Sequence, residues 1–244
     1  MKIDDFYREE YGLVAGIDEA GRGCLAGPVV AAAVVLEYDI EGVYDSKQLT
    51  PKMRERLFNE IIEKAVIGIG MATPEEIDLQ NIFKATRLAM NRALENLSVR
   101  PSFVIVDGKG IELNAPGACL VGGDKKSKLI GAASIIAKVV RDRLMEKLHD
   151  LYPQFSFHRH KGYATKDHLN EIRLHGVLPV HRMSFKPVLE NLSKERLVDF
   201  LEKKLISKER FDRILSLLEA REGVVLGQKR VRHNFTLFQT RGQS

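Results

Sequence analysis

The chain has little of what marks several protein classes. It holds two cysteines in 244 residues, Cys24 and Cys119, far apart in sequence. That excludes a disulfide framework and offers no metal-knuckle spacing, so each reads as a free thiol in a reducing compartment, and the expected location is cytoplasmic. No apolar run approaches the roughly 18 residues of a membrane span; the longest is Val29 to Leu36. The first residues are acidic (Asp4, Asp5, Glu9, Glu10), so no secretory signal is expected. Neither GxGxxG nor a GxxxxGK phosphate loop is present, which removes the commonest nucleotide-binding readings. A strong charge excess is also missing. Lys plus Arg is 38 and Asp plus Glu is 33, so 38 − 33 gives +5. Five of the bases (Arg221, Lys229, Arg230, Arg232, Arg241) fall in residues 221–244 against one acid, Glu222. The body is nearly neutral, and any basic surface there must come from local clustering.

What is present reads as a globular α/β or α+β chain with a mixed sheet. Leu13 to Ile17 and Val29 to Leu36 are apolar runs around a glycine-rich connection, which predicts an antiparallel pair. Thr50-Pro51 and Thr73-Pro74-Glu75-Glu76 are helix starts, the second with a capping box. The first helix is expected to bury Leu57, Phe58, Ile61, Ile62 and Ala65; the second is expected to run unbroken to about Leu97. Strands are expected at Val66 to Ala72, Phe103 to Val106 and Ala118 to Val121. A long helix should span Ser127 to Leu151, with Ala133, Ala137, Val140, Leu144, Leu148 and Leu151 on one face. Pro153 to Pro187 reads as irregular. Ser193 to Arg196 and Ser207 to Arg210 repeat one tetrapeptide, and each opens a helix of a hairpin. The expected division is a main α/β domain at 1–190, the hairpin at 191–222, and a basic, aperiodic tail at 223–244, expected to be mobile.

Three acidic sites stand at strand ends: Asp18-Glu19, Asp107, and Asp124 after a Gly-Gly turn. Sites in α/β folds gather at such ends. Converging carboxylates repel unless protonated or neutralised, and hard divalent cations are the usual remedy. Gly21-Arg22-Gly23 would let backbone approach a ligand, although a tight turn explains such a tripeptide equally well. Lys125, Lys126 and Lys128 open the long helix, where cations oppose the dipole unless phosphate binds there; a solvated turn is the plainer reading. His158 to Tyr163 is a basic segment with one aromatic, suited to phosphate and stacking, although Tyr163 could simply be packed. The histidines nearby show no zinc-ligand spacing.

In combination, Gly16-Ile17-Asp18-Glu19-Ala20-Gly21-Arg22-Gly23 resembles the opening motif of ribonuclease HII. Asp45-Ser46-Lys47, Asp107-Gly108, the stretch Gly131 to Lys138, and His160-Lys161-Gly162-Tyr163 resemble its later motifs, in order. The resemblance covers about residues 13–187. It implies a ribonuclease H-like fold: a mixed sheet flanked by helices. It implies a metal-dependent endonuclease that cuts the RNA strand of RNA–DNA hybrids and nicks duplex DNA at embedded single ribonucleotides, leaving 3′-hydroxyl and 5′-phosphate ends. It implies that Asp18, Glu19, Asp107 and Asp124 hold two metal ions, Mg²⁺ or Mn²⁺. By the same similarity Gly21, Arg22 and Gly23 sense the ribose 2′-hydroxyl, and Tyr163 packs against the adjoining nucleotide. Lys47, Lys125, Lys128 and Lys161 are implied phosphate contacts.

Two rivals stand beside this reading. One is another nuclease of the same fold, such as a transposase or proofreading exonuclease. The other is a non-catalytic binder, which would gain nothing from clustered acids that repel phosphate. In the tail, Asn234-Phe235-Thr236-Leu237-Phe238 either folds back onto the hairpin or serves as a docking peptide. It is similar to the short motif by which replication and repair proteins bind a sliding clamp, with Asn234 and Phe235 departing from the usual residues.

Overall fold

A computed structural model describes residues 3–44 and 49–221 of the chain. Lys47, the Asp45-Ser46-Lys47 motif and the tail with Asn234 to Phe238 lie outside the described residues. Five strands form one sheet in the order β3-β2-β1-β4-β5: β1 is Val14–Ala20, β2 Val29–Leu36, β3 Ala65–Ala72, β4 Phe103–Asp107 and β5 Gly117–Leu120. The β1–β2 and β2–β3 pairs are antiparallel, and β1–β4 and β4–β5 are parallel. The sheet is therefore mixed, as expected, with helices on both faces.

The uninterrupted apolar run of β2 is explained by that double cover. All eight of its residues are buried. Ala32, Val34 and Leu36 face the core under the long helix α5 (Lys128–Leu151), and Val29, Ala31, Ala33 and Val35 face the core under α4 (Ile82–Glu95). This is the period-two alternation of a strand with two apolar faces. Helix α5 lies so close to β1 that a Cβ on Gly16 would overlap the backbone at Leu129. That contact requires glycine at this position.

The N-terminal helix α1 (Ile3–Tyr11) packs Tyr7 and Tyr11 on Phe103, and buried Asp4 accepts the Lys128 N–H. Helix α2 (Pro51–Lys64) begins at the Thr50 cap and buries Leu57, Phe58 and Ile61; Ile62 is exposed and Ala65 already belongs to β3. The capping box forms on α3 (Pro74–Gln80), but the helix expected to run to Leu97 is broken. Asn81 adopts φ 75°, and its side chain caps a new helix, α4, by accepting from the N–H groups of Phe83 and Lys84. Asparagine tolerates that left-handed backbone and competes for local hydrogen bonds, which explains the break. In the second half of α5 the buried face follows Arg141 and Met145, leaving Leu151 exposed.

The segment read as irregular holds α6 (Phe157–His160), α7 (Lys166–His175) and α8 (Lys186–Leu189). Helix α9 (Lys194–Glu202) and α10 (208–221) follow, each capped by its serine: Ser193 accepts from Arg196 N–H at 3.2 Å and Ser207 from Arg210 N–H at 3.1 Å. Phe155, Phe157, Ile172, Val188, Leu197, Phe200, Ile214 and Leu218 share one core, which spans both sides of residue 190. A buried ion pair ties this lobe to the sheet. Asp78 on α3 accepts from Arg210 at 2.7 and 2.9 Å and from the N–H groups of Met183 and Ser184. Arg210 also donates to the carbonyls of Pro179 and His181. Removing one partner of such a pair strands the other charge in the interior. Asp78→Ala is expected to cost about 3–5 kcal/mol, measured by denaturant unfolding; an unchanged unfolding midpoint would refute the role given to the pair.

Candidate active site

The parallel pairing of β1 with β4 assembles the site. Ile17 stands opposite Val106, so the next residues, Asp18 and Asp107, emerge side by side at the carboxyl ends of the two strands. Alternation puts both on the α5 side of the sheet, with Val14, Phe103 and Ile105. Together with Glu19 they line a cleft of about 250 Å³, bounded also by Ala20, the Gly21-Arg22-Gly23 loop, Arg54, Ser134, Lys138 and Tyr163. A larger depression, about 440 Å³, lies near the amino end of β4 around Asn91, Arg100 and Asn114, with Glu95 its single acid. It has no converging carboxylates, so the smaller cleft is the candidate chemical site.

The cleft concentrates like charge. Asp18 is held well above the ordinary aspartate range, first by burial, then by the neighbouring charges of Glu19 and Asp107; a hydrogen bond with the Ser134 hydroxyl works the other way. Glu19 is raised as well, mainly by burial and further by Asp107, while Arg22 opposes the shift through an ion pair at 3.6 Å. Asp18 Oδ1 accepts the Glu19 N–H at 2.7 Å, and Asp107 Oδ1 accepts the Gly123 N–H at 2.7 Å. The latter bond draws the Gly123–Lys125 turn, and so Asp124, up against β4. Asp124 is buried there and does not line the cleft.

The donors fit a hard divalent cation: they are crowded carboxylate oxygens, and burial together with neighbouring like charge raises Asp18 and Glu19. Among the described residues no three carboxylate, histidine or thiol groups stand close enough to enclose a cation by themselves. Mg²⁺ seldom needs such a cage, since it keeps waters and takes substrate phosphate as a ligand. Asp18, Glu19 and Asp107 are the residues that would hold it.

The loop is built for close approach. Gly21 has φ +91°, and a Cβ there would overlap the Arg141 side chain; a Cβ on Gly23 would meet only open space. The first glycine is required by the fold behind it, and the second keeps the cleft wall bare. Cys24 N–H closes a turn onto Gly21 O at 3.3 Å. Tyr163 is 42% exposed, with Lys138 and Arg141 near its ring at 5.8 and 5.9 Å. Its backbone is held by a chain of imidazoles. Leu178 N–H donates to His181 Nδ1, so His181 carries its proton on Nε2 and donates to His168 Nε2 across 3.1 Å; His168 then donates from Nδ1 to Tyr163 O. Both rings stay neutral, because burial pushes His168 down to about 4 and His181 to about 3. These histidines serve as hydrogen-bonding posts.

Two of the lysines expected to meet phosphate are paired with carboxylates of the fold. Lys128 is buried, and its ammonium donates to Asp39 at 2.9 Å and Glu41 at 2.8 Å, which satisfies its charge inside the fold. Lys161 takes the left-handed C-cap of α6, with φ 50°, and its ammonium donates to Glu146 at 2.7 Å. Ser134, Lys138 and Arg54 line the cleft without having been singled out from sequence. Ser134 and Lys138 are polar residues four apart beside the apolar stripe of α5, a signal that was available. Arg54 sits on a helix distant in sequence and gave none.

A mixed sheet with buried carboxylates at the ends of two adjacent parallel strands defines the ribonuclease H-like class. A sequence model of the family described as Ribonuclease HII matches residues 15–188. The chain is 71% identical over 238 residues to Ribonuclease HII of Thermotoga maritima, covering 98% of this chain and 100% of that one. Among solved structures it is similar to the ribonuclease H2 from Pyrococcus horikoshii OT3, with 32% identity, TM-score 0.63, and 72% and 95% of the two chains covered. It is also similar to the ribonuclease in a PCNA:RNase HII complex from Archaeoglobus fulgidus, with 29% identity, TM-score 0.62, and 71% and 95% covered. The chain belongs to the ribonuclease HII family. It is an endonucleolytic hydrolase with ribonuclease H activity on RNA–DNA hybrids, and the family is divalent-metal dependent.

The raised carboxylates carry a stability signature. A carboxyl whose folded pKa lies above its unfolded value weakens the metal-free fold once it ionises, and that loss disappears as pH falls below the unfolded value. Asp18→Asn removes the loss. With chelator present, the variant is expected to melt above the parent at neutral pH, the difference shrinking on acidification. A lower melting temperature at neutral pH would contradict the charge crowding described above.

Proposed function

We propose that the enzyme nicks duplex DNA at embedded single ribonucleotides as well as cutting the RNA strand of hybrids. The observation that carries this is one cleft lined by Asp18, Glu19, Asp107, the bare Gly21-Arg22-Gly23 wall and Tyr163. The 2′-hydroxyl alone marks a ribonucleotide within DNA, and a backbone-lined wall can reach it whatever the base. Tyr163, with its exposed ring beside two cations, stacks on the adjoining nucleotide. Asp18, Glu19 and Asp107 would hold two cations, Mg²⁺ or Mn²⁺, with Asp124, buried in the adjacent turn just outside the cleft, as the fourth candidate ligand. When bound, such a pair supplies an activated water and a counter-charge for the leaving 3′ oxygen, giving 3′-hydroxyl and 5′-phosphate ends. Ser134 orients the Asp18 carboxylate. Lys125, exposed beside the Asp124 turn, meets the phosphate backbone. The enzyme acts in the cytoplasm. Among its described residues no helix is long and apolar enough to cross a membrane.

The test is cleavage of one duplex with and without a single ribonucleotide, across a Mg²⁺ and Mn²⁺ titration. Only the ribonucleotide-containing duplex is expected to be cut, and Asp107→Asn is expected to abolish cutting while leaving duplex binding in place. Equal cutting of both duplexes would favour a general nuclease of the same fold.

A second reading concerns a partner. The structural similarity to the ribonuclease of a PCNA:RNase HII complex supports docking of this chain on a sliding clamp. The segment Asn234 to Phe238 is the candidate, with Leu237 and Phe238 as apolar anchors for a preformed pocket. Calorimetric titration of the clamp with a peptide spanning His233 to Gln239 should show binding that is lost on joint Leu237→Ala and Phe238→Ala substitution. No binding, or binding indifferent to those changes, removes the reading.

A further inference from the structure

Behind the Gly21-Arg22-Gly23 loop lies a cation that the chemistry just described does not use. Arg182 is fully buried. Among the described residues it makes no ion pair with a carboxylate; its guanidinium donates to three backbone carbonyls: Gly21 O at 2.6 Å, Arg22 O at 2.8 Å and Gly27 O at 3.1 Å. Burial pushes its pKa down to about 10, so holding this charge here is costly. A second buried arginine, Arg141, lies against Gly21 and donates to Ala26 O, Pro28 O and Lys161 O. The main chain is knit to the same segments. Arg182 N–H donates to Leu25 O, Gly27 N–H to Val180 O, and Leu25 N–H to Gly162 O.

A trans peptide fixes the consequence. The carbonyl of one residue and the N–H of the next point in opposite directions, and no peptide among the described residues is cis. With the carbonyls of Gly21 and Arg22 drawn onto Arg182, the N–H groups of Arg22 and Gly23 point away from it, on a loop that borders the cleft. We propose that Arg182 is a positioning residue for ribonucleotide recognition: it orients two peptide planes so that the N–H groups of Arg22 and Gly23 meet the substrate sugar. The inference rests on the reading that this loop senses the 2′-hydroxyl. It gives the C-terminal lobe a part in recognition, because Arg182 lies in the Pro179–Ser184 stretch that Arg210 and Asp78 clamp.

The experiment compares the full chain with Arg182→Gln, Arg182→Lys and Gly21→Ala. It measures kcat and KM on the single-ribonucleotide duplex, Mn²⁺ affinity, and melting temperature, with assays well below the melting point. Misplacing a reacting group by about 1 Å can cost about 100-fold. Arg182→Gln is expected to lower kcat by about that factor, with KM and Mn²⁺ affinity near those of the parent. Arg182→Lys should fall between the two, since an ammonium keeps the charge without the planar fork. A melting temperature lowered with kcat unchanged would overturn the proposal and leave Arg182 a structural residue. If Arg182→Gln does not fold, Arg182→Lys decides: reduced kcat supports the role and parental kcat overturns it. Failure of the underlying reading looks different, for the parent would then cut duplexes with and without the ribonucleotide alike, or Gly21→Ala would cut as well as the parent.

Discussion

The burial of like charge at the ends of two neighbouring parallel strands is the constraint on which the rest of the structure depends. Pairing Ile17 with Val106 leaves Asp18 and Asp107 side by side, with Glu19 one residue on. The interior raises the cost of ionising Asp18 and Glu19 together. A sheet core covered on both faces holds them where they would otherwise move apart. Helix α5 touches the sheet through Gly16 and brings Ser134 and Lys138 to the cleft, so the scaffold that buries the carboxylates also supplies their polar neighbours.

The glycine-rich wall of the cleft follows a different logic. Its glycines place backbone at the cleft surface, and backbone must then be held from behind. Two buried arginines do this, each spending its donors on carbonyls. Arginine suits the task because its planar fork presents several donors in fixed directions. Tyr163 is held in a similar way, through neutral imidazoles that end on its carbonyl. The site thus joins a charged half built on the sheet to a polar half anchored in the C-terminal lobe.

Much of this was legible in the residues. The apolar runs of β1, β2 and β4, the caps at Thr50, Thr73, Ser193 and Ser207, and the acids near strand ends are local signals that local physics reads correctly. The break at Asn81 was missed because the apolar period continues across it while one side chain caps a new helix. The ion pairs of Lys128 and Lys161 were not foreseen, for a tertiary reason. Their partners, Asp39, Glu41 and Glu146, lie from 15 to 89 residues away, and nothing in the lysines' own neighbourhood announces them.

The repeated tetrapeptide shows where the division falls. Ser193 to Arg196 and Ser207 to Arg210 start helices by the same capping bond, because an N-cap involves only residues within one turn. Their arginines diverge completely. Arg196 donates to Val177 O and lies over Phe200, whereas Arg210 is buried against Asp78 from an N-terminal helix. By itself the sequence determined the five strands, the longer helices, the family motifs and the order of the acidic residues, all set by contacts of short range or by residue type. Only the tertiary structure decided which cations face the cleft and which brace it from within, since burial and long-range partners exist only once the lobes have packed.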